Sequence, residues 1–144
     1  MKRKGVRILV DAKGRLLWEA LQAGVNWAKA NLVEAEETTR KRGPGKCLRA
    51  MQSLARGRCG LLITLGSLGL VVRAGKTKLA VPAPKIRCQD ATGSGDVVTS
   101  AMIYGILSGW EIEKVTGFAV WAGSENAARR NEVVARLKGR GVFA

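Results

Sequence analysis

The chain has 144 residues, of which 47% are hydrophobic and 25% are charged. This length supports one domain with a real core, and this composition excludes a disordered chain. No apolar run approaches transmembrane length, and the first one, residues 6–10, is too short for the hydrophobic region of a signal peptide.

The charge is strongly asymmetric, with 25 basic against 11 acidic residues and a net charge of +14. No acid lies between Glu37 and Asp90, a segment rich in lysine and arginine. Such a balance favours anionic partners: nucleotides, sugar phosphates or nucleic acid. Nucleic acid is the less favoured, because the basic residues are spread over several predicted elements. No helix-turn-helix or aromatic-interleaved pattern accompanies them.

The three cysteines, Cys47, Cys59 and Cys88, are odd in number and have no C-x-x-C spacing. The chain has no histidine to complete a zinc site. We therefore expect reduced, mostly buried thiols in a cytoplasmic protein.

Strand and helix signals alternate in the first third of the chain. Residues 7–10 form a short β-branched run, residues 15–23 carry apolar residues at helical spacing, and another apolar segment follows at 25–28. This alternation predicts parallel β/α units and hence an α/β fold.

Asn31 stands three residues before Glu34, which is the spacing of a capping box at a helix start. On its own this pattern favours a cap over a functional site.

A polar loop is predicted at residues 38–46, followed by a helix at 46–55.

Residues 60–66 are continuously apolar, as in a buried parallel strand. A glycine-punctuated turn follows, and residues 70–73 are predicted to return as a hairpin strand. The segment from Gly69 to Thr77 resembles a Walker A loop, but five residues separate its glycines where four are required. We predict hairpin strands around Gly75 instead, then a connector at 82–84 and a short strand at 86–88.

The most informative stretch is Asp90-Ala91-Thr92-Gly93-Ser94-Gly95-Asp96, which precedes an apolar helix predicted at 97–107. A glycine turn opening a helix presents free N–H donors and the positive end of the helix dipole, which suits phosphate. Asp96 is placed either to cap the helix or to take a proton from an attacking hydroxyl. Further helices are predicted at 111–122, apolar on its inward side, and at 133–137.

This stretch closely resembles the C-terminal signature of the PfkB-type (ribokinase-like) carbohydrate kinases. Ala91 and Ser94 replace residues that are commoner there, without removing a group the chemistry needs. The resemblance implies the C-terminal, nucleotide-binding part of a ribokinase-like layered α/β/α fold. It implies that Asp96 is the catalytic base and that Gly93, Ser94 and Gly95 offer N–H groups to the γ-phosphate.

Three further segments resemble family motifs in the family's order. Asn31 and Glu34 match an Asn-x-x-Glu motif used around magnesium and phosphates, although Ala30 stands where proline is usual. The resemblance also implies that Thr64, Gly66 and Gly69 line the nucleotide phosphates. The segment at 122–127, with Gly123 and Asn126, resembles the small-residue segment beside the adenine; small residues equally let two helices pack. The closest likeness is to the fructose-1-phosphate and tagatose-6-phosphate kinase branch.

The resemblance implies ATP-dependent phosphoryl transfer to a sugar or sugar-phosphate hydroxyl, with ATP and Mg²⁺ as cofactors and no membrane partner. We expect residues 1–144 to be one such domain without the N-terminal sugar-binding half and lid. An exposed sheet edge, a homodimer or a complementing N-terminal half would follow. Stand-alone activity is an open question. The alternative is a non-catalytic nucleotide-binding or basic nucleic-acid-binding protein.

Overall fold

The structure is a computed structural model that describes residues 5–139, and within them the side chains of residues 5–129. The chain forms two compact units that divide after Val81. The elements of the first unit are β1 (Leu9–Asp11), α1 (Gly14–Ala23), β2 (Trp27–Asn31), α2 (Leu32–Thr39), α3 (Pro44–Leu54), β3 (Gly60–Thr64), β4 (Leu70–Ala74) and β5 (Thr77–Val81). The second unit contains α4 (Ser94–Leu107) and α5 (Ile112–Gly139).

The five strands form one sheet in the order β1-β2-β3-β4-β5. The pairs β1–β2 and β2–β3 are parallel, whereas β3–β4 and β4–β5 are antiparallel. Helices connect the parallel strands, as parallel pairing requires. The prediction of an α/β fold with parallel β/α units is therefore confirmed.

The core of the first unit lies between one face of this sheet and the helices α1 to α3. Side chains alternate between the faces of a strand, so Leu61 and Ile63 of β3 share a face with Ala28 and Ala30 of β2. They pack with the buried helix residues Leu17, Leu21, Cys47, Leu48 and Met51. Strand β1 lies at one edge of the sheet, where Val6 and Ile8 are exposed.

The Walker-like segment is a β-hairpin. Strands β4 and β5 pair from Leu70↔Val81 to Ala74↔Thr77, and Gly75, with φ of 58°, turns between them. A P-loop needs a strand-to-helix turn whose amides cradle phosphate. The predicted hairpin is confirmed, and residues 69–77 do not form a P-loop.

Several predicted boundaries in the first unit are wrong. The loop predicted at 38–46 is shorter, because α2 continues to Thr39 and α3 begins at Pro44, where proline is well tolerated in the first turn.

Cys47 and Cys59 are buried as expected, but Cys88 is exposed; all three are free thiols.

The second unit departs further from the predictions. Residues 86–88 form no strand. The two helices predicted at 111–122 and 133–137 are one helix, α5. Helix α4 is apolar but not buried all round, because Ile103, Tyr104 and Leu107 are exposed. Tyr104 and Phe118 line an open apolar groove of about 310 Å³ along α4 and α5.

Among the residues that the structure describes, no helix is both long and apolar enough to cross a membrane.

Candidate functional site

The turn before α4 owes its shape to Gly93. Its φ of 78° and ψ of −4° lie in the left-handed region, which a glycine adopts without strain. Just upstream, the amide of Thr92 donates to the Asp90 carboxylate at 2.8 Å, closing a local side-chain turn. Gly93 occupies the N-cap position of α4, and no side chain caps this helix.

The first turn of α4 leaves backbone donors available. The amide of Ser94 donates to the carbonyl of Ala91 at 3.1 Å. The amides of Gly95 and Asp96 fall in the first turn of an uncapped helix, where no intrahelical acceptor exists. In this structure the available donors are therefore the amides of Gly95 and Asp96, and the role of the Ser94 N–H group stays a prediction.

The carboxylate of Asp96 is exposed and makes no hydrogen bond or ion pair with any residue that the structure describes. A capping carboxylate would accept from amides of the first turn. The interpretation of Asp96 as a helix cap therefore has no contact to support it. The carboxylate stands beside the unpaired amides of the same turn.

Helix α5 is hydrogen-bonded to residues 89–94, the segment that leads into α4 and that we call the motif loop. The side-chain amide of Asn126 donates to Ser94 Oγ at 3.0 Å and to the carbonyl of Thr92 at 3.3 Å. The carbonyl of Ala127 accepts from the amides of Gln89 and Asp90 at 3.0 and 3.1 Å. Four hydrogen bonds thus fix the loop to one stretch of α5, which limits how far the loop can move.

Gly123 serves the packing of the two helices. It is buried, and a Cβ atom there would lie 2.8 Å from Val98 Cγ2 and 3.4 Å from the carbonyl oxygen of Ser94. This close approach favours the helix-packing alternative for the small-residue segment. Contact of Gly123 and Asn126 with adenine stays a prediction.

In the first unit, Asn31 and Glu34 form the predicted capping box at the start of α2. Asn31 Oδ1 accepts from the amide of Glu34 at 2.9 Å, and Glu34 Oε2 accepts from the amide of Asn31 at 2.9 Å. Each acceptor oxygen can take a second interaction, and Glu34 Oε1 is not part of the box. The cap therefore leaves oxygen atoms for another ligand.

Four predicted site residues of the first unit share one end of the sheet. Asn31 and Thr64 are register partners at the carboxyl ends of β2 and β3. Gly66, with φ of 61°, opens a short 3-10 turn, Gly66–Leu68, directly after β3. Gly69 closes that turn, because its carbonyl accepts from the amide of Leu65 at 2.8 Å.

Sequence reasoning did not single out Lys29. Its Nζ donates to Asp11 Oδ2 at 2.6 Å, and its side chain is only 7% exposed. Lys29 lies two residues before Asn31 on β2 and so points to the same face of the sheet. A lysine among the small buried residues of a strand was the available signal, because buried charges are rare unless paired.

Magnesium fits the oxygen donors of the first unit only through water. Across the described side chains, no group of three or more His, Cys, Asp or Glu residues could hold a metal ion. Asn31 and Glu34 supply one amide and one carboxylate oxygen. Magnesium usually keeps several waters and takes one or two carboxylates plus substrate phosphates, so this pair suits water-mediated binding.

Comparison with known proteins shows the family to which the chain belongs. The family described as pfkB family carbohydrate kinase matches residues 1–134. The chain belongs to this family. Among curated proteins, the bifunctional protein HldE of Pseudomonas putida and that of Azotobacter vinelandii are each 28% identical over 127 residues. Those matches cover 82% of this chain and 25% of each relative, so the chain spans about a quarter of their length.

Solved structures of two kinases share the fold. The tetrameric inhibited form of phosphofructokinase-2 from Escherichia coli matches with a TM-score of 0.77 at 24% identity, covering 88% of this chain and 43% of that one. Ribokinase from Thermotoga maritima matches with a TM-score of 0.77 at 23% identity, covering 95% and 50%. The ribokinase-like fold is confirmed. The particular kinase branch stays a prediction.

Proposed function

We propose that this chain carries the phosphoryl-transfer part of a sugar kinase, which moves the γ-phosphoryl group of ATP to a hydroxyl of a sugar or sugar phosphate. One observation carries the proposal: an uncapped, glycine-opened helix start beside an exposed Asp96 carboxylate that no described residue engages. Membership of the pfkB family supports the reaction class.

The helix start suits the transferred group. In phosphoryl transfer the protein mainly positions groups and neutralises charge. The unpaired amides of Gly95 and Asp96, with the positive end of the α4 dipole, would bind the γ-phosphoryl oxygens. Gly93 and Gly95 lack side chains, so the phosphate can approach the backbone closely.

Asp96 is the proposed general base. As the bond between the acceptor oxygen and phosphorus forms, the bond from phosphorus to the leaving ADP oxygen breaks, and the hydroxyl proton passes to the Asp96 carboxylate. A carboxylate without a cap partner or ion pair is available for that proton. Asn126 would act as a positioning residue, since it fixes the loop that carries these groups.

The first unit would supply the magnesium and nucleotide-phosphate contacts. Asn31 and Glu34 would hold Mg²⁺ through water, and the bound ion would neutralise phosphate charge. Thr64, Gly66 and Gly69 lie at the same end of the sheet, in and beside the turn that follows β3, where nucleotide phosphates would bind. Lys29 adds a cation on the Asn31 face of β2. We place this kinase in the cytoplasm, where free thiols such as those of Cys47, Cys59 and Cys88 are the usual state of cysteine.

Calorimetry with Mg·ATP tests the proposal. The variant Gly95→Val places a side chain where the backbone must approach phosphate, and we expect it to weaken ATP binding at least about tenfold. Gly117→Val is the matched control, because Gly117 is an exposed glycine of α5 with open space around it. Equal affinities of the two variants would contradict the proposed phosphate site. Tight ATP binding without transfer to any sugar would favour the non-catalytic alternative.

A further inference from the structure

The sheet of the first unit gathers basic residues that are distant in sequence. Arg73 on β4 is the register partner of Lys78 on β5. Lys76 lies in the turn between these two strands, and Arg56 and Arg58 lie between α3 and the start of β3. We call these five residues the basic end: Arg56, Arg58, Arg73, Lys76 and Lys78.

Strand geometry places these residues together. Strand β3 begins at the end of the sheet where the β4–β5 hairpin turns, because Leu61 near its start is the register partner of Arg73. Neighbouring strands lie about 4.8 Å apart, so β3 and β5 are separated by roughly 10 Å. Arginine and lysine side chains bridge that separation easily. The basic end also lies at the opposite end of β3 from Thr64, away from the candidate phosphate contacts of this unit.

No carboxylate neutralises the basic end within the described chain. None of its five residues makes an ion pair with a described residue. Three acids of the first unit, Glu19, Asp11 and Glu36, are already paired with Arg15, Lys29 and Arg42. Uncompensated like charges repel each other, and an anionic partner relieves that repulsion.

Arg73 gives a second indication of an anionic ligand. Its Nε atom is buried and has no hydrogen-bond partner among the described residues. An unsatisfied buried donor costs free energy, and arginine donors match phosphate oxygens well. A phosphate drawn to the Arg73 guanidinium would therefore compensate part of this cost.

We propose that the basic end binds the phosphate backbone of double-stranded nucleic acid, a function beyond the proposed kinase reaction. The cations lie at the end of the five-stranded sheet where the β4–β5 hairpin turns, and their positive charge is complementary to the closely spaced phosphates of a duplex. Backbone neutralisation by lysine and arginine supplies most of the affinity of such non-specific contacts. These five basic residues are spread along the sequence, and the fold gathers them at one end of the sheet.

Fluorescence anisotropy with a labelled 20-base-pair DNA duplex of arbitrary sequence tests the proposal. The full chain is titrated between 50 and 300 mM salt, alongside the triple variant Arg58→Gln, Lys76→Gln, Lys78→Gln. The logarithm of the binding constant falls linearly with the logarithm of the salt concentration. Each lost phosphate contact lowers the magnitude of that slope by about 0.9, so we expect the slope of the triple variant to be smaller by about 3. We also expect a roughly 100-fold loss of affinity at 100 mM salt.

The matched control is Lys41→Gln, Lys46→Gln, Arg49→Gln, which removes the same charge from three exposed positions outside the basic end. We expect this control to keep a slope close to that of the wild type. Equal losses in the two triple variants, or no salt-dependent binding by the wild type, would overturn the proposal. Tighter binding to vesicles of anionic phospholipid than to the duplex, lost in the same variant, would also overturn it. Thermal melting of each variant confirms that the compared chains are folded.

Discussion

The side-chain amide of Asn126 donates to Ser94 Oγ at 3.0 Å, joining helix α5 to the first turn of α4. The same amide donates to the carbonyl of Thr92 at 3.3 Å, just before the glycine turn. These two hydrogen bonds span more than thirty residues of sequence. Asn126 therefore holds both sides of the turn whose amides and carboxylate we assign to phosphoryl transfer.

Replacing Asn126 with alanine should loosen the motif loop without unfolding the second unit. Two neutral hydrogen bonds to partly exposed groups are lost, so we expect a cost of about 1 kcal/mol in the free energy of unfolding. Hydrogen exchange at residues 92–96 should accelerate, and ATP affinity should fall several-fold. Glu125→Ala is the control, because it removes only the exposed ion pair with Arg129. Unchanged exchange at residues 92–96 in Asn126→Ala would contradict the positioning role.

Glu34→Gln separates the helix cap from the proposed magnesium contact. Glutamine at this position can still accept from the Asn31 amide, so the capping box and the melting temperature should be largely kept. The lost charge should weaken binding of Mg·ATP while leaving binding of metal-free ATP nearly unchanged. Calorimetry with Mg²⁺ and with EDTA measures this difference. Glu37→Gln, an exposed neighbour on α2, is the control. A Glu34→Gln chain with wild-type Mg·ATP affinity would show that Glu34 only caps α2.

Cys59 and Cys88 should differ strongly in their reactivity toward alkylating reagents. Burial raises the pKa of Cys59 to about 11, against a smaller opposing effect of a hydrogen bond from Ala28. Since the thiolate is the reactive form, Cys59 should stay unmodified by iodoacetamide at pH 8 while exposed Cys88 reacts. Peptide mass spectrometry of the labelled chain follows both sites.

The raised pKa of Cys59 also has a consequence for stability, with a defined sign. Below about pH 8 the thiol is protonated in both the folded and unfolded states, so its contribution is constant. Between about pH 9 and 11 the unfolded chain releases this proton first, and the free energy of unfolding decreases as pH rises. Cys59→Ala should remove that part of the alkaline decrease. An unchanged decrease in the variant would contradict a raised pKa at Cys59.

Short sequence patterns correctly predicted those elements whose geometry depends on residues close to one another in the sequence. The Asn31–Glu34 capping box, the hairpin around Gly75 and the continuous apolar strand before Gly66 all appear where spacing placed them. Each depends on residues within a few positions of one another. The glycine turn before α4 was also predicted, because glycine readily adopts the left-handed backbone conformation that the tight turn into this helix uses.

Features that depend on distant residues could not be predicted in this way. Ser94 was expected to offer its amide, but the carbonyl of Ala91 takes it in a turn that the motif alone does not specify. Gly123 packs against Val98 of another helix. The burial of Lys29 against Asp11 and the gathering of Arg58, Arg73 and Lys78 at one end of the sheet follow from strand register.

The rate of phosphoryl transfer by Asp96→Asn tests the central claim most directly. Transfer from γ-labelled ATP to a panel of sugars and sugar phosphates is measured per folded molecule, with the other half of such a domain supplied as a second chain where needed. Asparagine keeps the size of aspartate but cannot accept the proton, so we predict at least a 100-fold loss of rate, with ATP affinity within about twofold and the melting temperature nearly unchanged. Glu113→Gln, which alters a first-turn acid of α5, should keep the full rate. An Asp96→Asn chain with the wild-type rate, or a wild-type chain that phosphorylates no sugar in either format, would contradict the account.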